Sequence, residues 1–157
     1  MKPLKMWLSA AALAAAFAHS GPAMADNADA GAIRHLMMAQ FDRPDARLTV
    51  EPVTVHGSIA VAGWAQGDMG GRALLRRHGD QWRLVLCSGD ALKQAASLRQ
   101  VGLTAEEADM IAKAVVEAEA GLDPALVTKF SAFDGVMMMN EEGNHPPLKG
   151  HTSGHRG

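Results

Sequence analysis

The chain has very little cysteine, since its 157 residues include only one, Cys87. A single cysteine excludes an intramolecular disulfide. Cys87 ends the largely apolar run 82–87, and a thiol in such a run usually packs as a small hydrophobic side chain. A metal ligand and an intermolecular disulfide are the alternatives.

The chain also lacks a strong net charge and a long apolar segment. Its formal net charge is −2 at pH 7, which gives no reason to expect a nucleic acid or an anionic membrane as a partner. The one extended apolar run, residues 6–18, is shorter than the roughly 20 residues that a membrane-spanning helix needs. We therefore expect no membrane anchor.

This apolar run has the features of a cleavable signal peptide. Lys2 and Lys5 precede it, and Ala23-Met-Ala25 follows with the small-x-small form of a signal peptidase site. We predict that residues 1–25 are a signal peptide and that the mature, exported chain begins at Asp26.

Motifs typical of enzymes are missing from the sequence. It contains no His-Glu-x-x-His, no Gly-x-Ser-x-Gly, no phosphate-binding loop and no Cys-x-x-Cys. An enzyme would have to use His56 or Asp90 as an acid or base in a cavity of the fold, and nothing in the sequence brings these residues together. We therefore expect that the protein is not an enzyme.

What the sequence does contain is a clear order of secondary structure. Apolar residues spaced by three and four predict a helix over 29–41, with Asp29 as its N-cap. Alternating apolar residues between positions 48 and 86, separated by short glycine-containing connections, predict four strands in an antiparallel meander. A helix over 90–102 and another that begins with the capping box Thr104-Ala-Glu-Glu107 and ends at Gly121 complete the pattern.

This order predicts one α+β domain over residues 26–122, in which a helix packs on one face of an antiparallel sheet. A curved sheet wrapped on a helix, as in cystatin-like or NTF2-like folds, satisfies the order, although the order does not require it. Periodicity ends near Asp123, and residues 123–157 are predicted to be a C-terminal tail that contains Met and His. Phe130-Ser-Ala-Phe133 is a candidate to dock on the domain, and the residues after Met139 have the composition of a flexible tail.

The tail carries two kinds of metal ligand. Cu(I) prefers soft thioethers, whereas Cu(II) prefers imidazoles. The candidate metal ligands are Met137, Met138, Met139, His145, His151 and His155. In an extended chain, Met137 and Met139 share one face while Met138 points away.

Each half of this ligand set has a plainer interpretation. The three methionines follow Phe133 and Val136, and methionine often fills gaps in a core. The histidines lie among Pro and Gly and could simply be solvated, although short His-rich tracts are typical of metal binding. Met69, at a predicted loop tip, is not included among the ligands, and Ni(II) and Zn(II) also accept imidazole.

Several segments resemble the small exported proteins called copper uptake system-associated proteins. The similarity lies in Gly70-Gly-Arg-Ala-Leu-Leu-Arg-Arg77, in the stretch from Trp82 to Leu92, in Ala118-Glu-Ala120, and in a tail where Met is followed by His-Pro-Pro and Gly-His. The resemblance implies a periplasmic protein that works in copper homeostasis beside copper chaperones and outer-membrane copper importers. The chain lacks the spaced Met and His pattern of the chaperones themselves.

These observations lead to one expectation and one alternative. We expect a periplasmic copper-binding accessory protein that captures or passes copper, as Cu(I), Cu(II) or both, through its C-terminal Met and His residues. A copper chaperone or a copper importer is the expected partner. The alternative is a periplasmic module that binds a small ligand or a protein without metal.

Overall fold

The computed structural model describes residues 22–140. The elements are the helix α1 (Pro22–Phe41), the strands β1 (Leu48–His56), β2 (Ile59–Gln66), β3 (Met69–His78) and β4 (Gln81–Ser88), a 3₁₀ turn (Asp90–Lys93), the helices α2 (Ala95–Gln100), α3 (Ala105–Glu119) and α4 (Pro124–Ser131), and the strand β5 (Val136–Met138).

The predicted α+β class is confirmed, with five strands instead of four. The strands form one antiparallel sheet in the order β1-β2-β3-β4-β5. The first four strands make the predicted meander. The fifth strand has only three residues and pairs with β4 after the chain has passed through all the C-terminal helices. Its partner is therefore distant in sequence, and three residues are too few to show an alternation of apolar and polar side chains.

Consecutive strands of the meander are connected by two-residue turns, and the first residue of each turn is glycine. Gly57, Gly67 and Gly79 have φ angles of 59°, 58° and 60°, the left-handed value that the first central residue of a type II′ turn needs. The turn that begins at Gly67 is shorter than expected, because Met69 is already the first residue of β3. The prediction that Met69 lies at a loop tip was therefore wrong.

The first helix begins earlier than the sequence indicated. It includes Pro22, so Asp29 lies inside the helix and is not its N-cap. The Asp29 carboxylate instead accepts hydrogen bonds from the Trp82 indole and the Arg77 guanidinium. Asp29 therefore joins α1 to β3 and β4 at the end where these two strands are connected by their hairpin turn.

Helices pack on both faces of the sheet. The α1 face is a buried cluster of Ile33, Met37, Leu48, Val50, Ala60, Ala62, Ala73, Leu75, Trp82, Leu84, Cys87 and Met139. The α3 face is a second cluster of Ile59, Val61, Leu74, Leu86, Leu92, Leu98, Leu103, Ala108, Ile111, Ala112 and Val115. Adjacent residues of β2 enter opposite clusters because side chains alternate along a strand, so this interior strand is apolar on both sides.

The helices after β4 follow their sequence signals closely. Thr104 and Glu107 form the predicted capping box at the start of α3. The predicted helix over 90–102 is instead a 3₁₀ turn and a six-residue helix, because the backbone of Gln94 between them is extended. None of the helices within residues 22–140 has both the length and the apolar character needed to cross a bilayer.

The folded structure extends beyond residue 122, into the segment that we predicted to be a tail. Asp123 caps α4 by accepting from the amide of Ala125 at 2.9 Å, and Pro124 occupies the first turn, where its missing N–H costs nothing. Phe130 is fully buried against β2, where a Cβ at Gly63 would lie 2.8 Å from its ring. The Asp123 cap thus stabilises the first turn of α4, and the buried Phe130 side chain holds the helix on the sheet.

A buried ion pair joins α3 to the middle of the sheet. The fully buried Arg72 of β3 donates from Nε and Nη2 to the two carboxylate oxygens of Glu119, at 2.6 and 2.7 Å. Its Nη1 donates to Asp90 at 3.1 Å, and Asp90 also accepts from Ser131 at 2.6 Å. We call these four residues the Arg72 network, and they connect β3, α3, α4 and the 3₁₀ turn.

Candidate functional site

A cavity of about 200 Å³ lies at one end of the α1 face, between α1 and β5. Its walls are formed by residues from α1, from the five strands and from the segments next to β5. They are Met37, Phe41, Leu48, Trp64, Gln66, Met69, Cys87, Phe133, Met137 and Met139. Four thioethers and one thiol therefore surround the same space, and we call this space the sulfur cavity.

A β-bulge places Cys87 in the sulfur cavity. Leu74 pairs with Leu86 and Leu75 with Leu84, so Val85 is an extra residue in β4. Strict alternation from Trp82 would have turned Cys87 away from the α1 face. The bulge shifts the alternation by one residue, and Cys87 joins Trp82 and Leu84 in the same cluster.

The same register brings a methionine opposite this thiol. Cys87 pairs with Met137 across β4 and β5, and directly opposed residues share a face, with their Cβ atoms about 5 Å apart. The backbone N–H of Met139 donates to Val85 at 2.9 Å, which extends the pairing beyond β5. Met139 follows Met137 by two residues and lines the same cavity.

The three consecutive methionines are therefore divided between two environments. Met137 is 43% exposed and Met139 is 8% exposed, and both line the sulfur cavity. Met138 is 48% exposed, pairs with Leu86 of the α3 face, and lines a separate groove beside Arg76 and Arg83. The alternation that the sequence predicted for an extended segment is what places Met138 apart from the other two.

Two further thioethers complete the cavity from other elements. Met37 projects from the buried face of α1 and is 2% exposed, so it forms the part of the cavity wall that α1 contributes. Met69 begins β3 opposite Gln66, on the same face as Trp64, and is 61% exposed. The sulfur side chains around this one space thus range from buried to solvent-exposed.

Two aromatic side chains, Trp64 and Phe133, form one wall of the cavity. Trp64 and Phe133 meet edge to face with their ring centroids 5.9 Å apart. Both rings lie over Gly71, where a Cβ would come within 3.0 Å of each of them, so only glycine leaves room for this wall. The indole nitrogen of Trp64 is buried and makes no hydrogen bond of normal geometry within the described part of the chain.

Burial controls the chemistry of the cavity thiol. It raises the pKa of Cys87 to about 12, although the nearby indole N–H of Trp64 acts in the opposite direction. The thiol is therefore protonated at neutral pH and is a poor nucleophile. A metal ion that binds this sulfur as a thiolate has to displace its proton.

The polar group in the lining already has a structural role. Both hydrogen bonds from Gln66 Nε2 go to backbone carbonyls, those of Phe41 and Ala46, each at 2.7 Å. Over residues 22–140, moreover, no group of three or more His, Cys, Asp and Glu side chains is arranged to hold a metal ion. What the described structure offers a metal is therefore sulfur, and not a set of imidazoles or carboxylates.

The structure places only half of the candidate ligands predicted from the sequence. Met137 and Met139 come together in the cavity, Met138 does not join them, and His145, His151 and His155 lie outside the described residues. Neither Met37 nor Cys87 was predicted from the sequence to line a cavity, and Met69 was not included among the candidate ligands. The helical stripe of α1 indicated that Met37 is buried, but not which side chains it meets.

Comparisons with known proteins add no assignment to this geometry. No protein-family model, no curated protein and no solved structure matches the chain.

Proposed function

We propose that this protein is a periplasmic copper-binding accessory protein that holds Cu(I) in the sulfur cavity. The observation that supports this most directly is the convergence of four thioethers and one thiol on one space. We further propose that His145, His151 and His155 bind Cu(II), and that the protein receives copper from, or passes it to, a copper chaperone or importer.

The chemistry of the lining favours Cu(I) over divalent ions. Thioethers are soft, neutral ligands that suit Cu(I), whereas divalent zinc and nickel need imidazole, carboxylate or thiolate. A cavity with apolar walls also penalises charge, because the cost of moving an ion from water rises with its charge. A monovalent ion bound by one thiolate and neutral thioethers has no net charge, so its burial costs least.

The test is an anaerobic Cu(I) titration of the mature chain, residues 26–157, in competition with a coloured Cu(I) chelator. We expect one tightly bound Cu(I) ion per chain, and an affinity at least about tenfold lower when Met137 and Met139 are both changed to leucine. Leucine is close to methionine in volume and keeps the packing. Met138→Leu is the matched control, because that side chain faces away from the cavity.

A truncation separates the cavity from the histidines. The chain should be cut after Asn140, because a cut after Val136 would remove most of β5. We expect the truncated protein to keep its Cu(I) affinity and to lose its Cu(II) binding. Cu(I) binding that is absent from the full mature chain, or that is unchanged in the Met137/Met139 double variant, would contradict the proposal for the cavity.

A second candidate is an apolar small ligand, and the aromatic side of the same cavity favours it. Phe41, Leu48, Trp64 and Phe133 line it together with the methionines, and binding sites for small molecules are usually lined in this way. Quenching of tryptophan fluorescence by an apolar probe would detect such binding. The methionine-to-leucine variants distinguish the two candidates, because they retain an apolar lining and lose the soft ligands.

A further inference from the structure

The five sulfur side chains of the cavity divide into an inner and an outer group. Met37, Cys87 and Met139 are buried, with exposures of 2%, 6% and 8%. Met69 and Met137 are 61% and 43% exposed. We call the first three the inner sulfurs and the last two the rim sulfurs.

The exposed position of Met69 is held by the fold. The turn before it is fixed at Gly67, whose carbonyl accepts from Lys129 Nζ at 2.9 Å. The residue after it, Gly70, packs against Lys129, since a Cβ there would lie 2.8 Å from the Lys129 carbonyl oxygen. Met69 therefore stays at the edge of the cavity, and α4 holds it there.

Met137 connects the rim to the interior. It is exposed, yet it lies directly opposite Cys87 across the β4–β5 pair. Its flexible side chain, with three rotatable bonds, has the inner thiol on one side and solvent on the other. A soft ion at the rim is then one cross-strand distance, about 5 Å, from the inner sulfurs.

Stability does not explain the rim sulfurs. Complete burial of a methionine side chain contributes about 1.5–3 kcal/mol, and side chains that remain about half exposed obtain only part of this. Two large apolar side chains held at the edge of an open cavity are better explained by contact with something that arrives from outside.

On the basis of the proposed Cu(I) site, we propose that Met69 and Met137 are transfer ligands. They take Cu(I) from, or give it to, a partner protein that presents an exposed thioether or thiolate. The inner sulfurs hold the ion between transfers. Copper remains Cu(I) throughout, each step exchanges one sulfur ligand for another, and the proton of Cys87 goes to solvent when its sulfur binds and returns when the ion leaves.

The experiment compares equilibrium with rate in the full mature chain. Affinity is measured by chelator competition, and the rate is followed by stopped flow as Cu(I) passes from the loaded protein to a peptide with two exposed methionines. For the rim variant Met69→Leu with Met137→Leu, we expect transfer slowed about tenfold with affinity changed less than about threefold. For the inner variant Met37→Leu with Met139→Leu, we expect affinity reduced by about tenfold or more.

Met138→Leu is again the control, and we expect it to match the wild type in both measurements. Transfer at the wild-type rate in the rim variant would overturn this inference while the Cu(I) site remains. A rim variant that loses as much affinity as the inner variant would overturn it as well, because the two groups would then act as one ligand set. A wild-type chain that binds no Cu(I) would remove the proposed site together with the inference.

Discussion

Loss of the Glu119 carboxylate should be among the most destabilising single changes in this protein. Glu119→Gln keeps the size of the side chain but removes the charge that faces Arg72. The guanidinium is fully buried and donates two of its hydrogen bonds to Glu119. The substitution therefore leaves a buried cation without its main counter-ion.

The expected cost follows from the geometry of the Arg72 network. Breaking a buried ion pair by removing one partner typically costs about 3–5 kcal/mol. Asp90 still accepts from Arg72 at 3.1 Å, but its side chain is 46% exposed, so water weakens its effect. We expect a loss near the lower end, about 3 kcal/mol. The double variant Arg72→Met with Glu119→Leu should recover most of it, because no unpaired charge remains in the core.

Urea unfolding at pH 7, followed by tryptophan fluorescence, measures these differences. Glu117→Gln is the matched control on the same helix, because its pair with Lys113 is exposed on both sides and should contribute less than about 0.5 kcal/mol. A Glu119→Gln variant within 1 kcal/mol of the wild type, or a double variant less stable than the single one, would refute the reasoning that the buried charge dominates.

Three further predictions concern other parts of the fold. The hydrogen bond from Ser131, with Lys93 close by, holds the pKa of Asp90 below its ordinary value, so the stability lost in Asp90→Asn should be largest above about pH 4 and shrink at lower pH. Urea midpoints between pH 2 and pH 7 test this. Gly63→Ala should cost about 1–3 kcal/mol in urea unfolding because its Cβ would overlap the Glu51 carbonyl oxygen and the Phe130 ring. Gly31→Ala, in open space on α1, should instead stabilise by about 0.5–1 kcal/mol. Cys87 should react with a disulfide reagent at pH 8 at least about 100-fold more slowly in the native protein than in urea.

Much of the fold is predictable because its signals are local. The capping box at Thr104 and Glu107 marks the start of α3, and each hairpin has a glycine where a positive φ is needed. Helices on both faces are harder to foresee. The apolar residues of β2 occur on both sides of the strand, which indicates burial on two faces, but sequence alone does not say which helix covers which face.

The site is less predictable, because it depends on contacts between distant segments. The bulge at Val85 decides that Cys87 points into the cavity, and no residue type in β4 announces a bulge. Met137 lies opposite Cys87 because the chain comes back to pair β5 with β4. That return depends on α4, whose short sequence gives a clear cap at Asp123 but no long periodic pattern.

Core packing alone does not account for the open space inside the sulfur cavity. Methionine is the side chain best suited to fill irregular gaps, and four of them surround a space that they leave open. An unfilled volume of about 200 Å³ in a closed core would cost on the order of 5 kcal/mol, at about 24 cal/mol per Å³, which is comparable to the whole stability of many small domains. The opening to solvent lowers that cost, but the flexible methionine side chains could have closed the space and gained contacts. The open space is consistent with the proposal that the cavity holds an occupant, and the proposed occupant, Cu(I), is a soft ion that suits a lining of thioethers and a thiol.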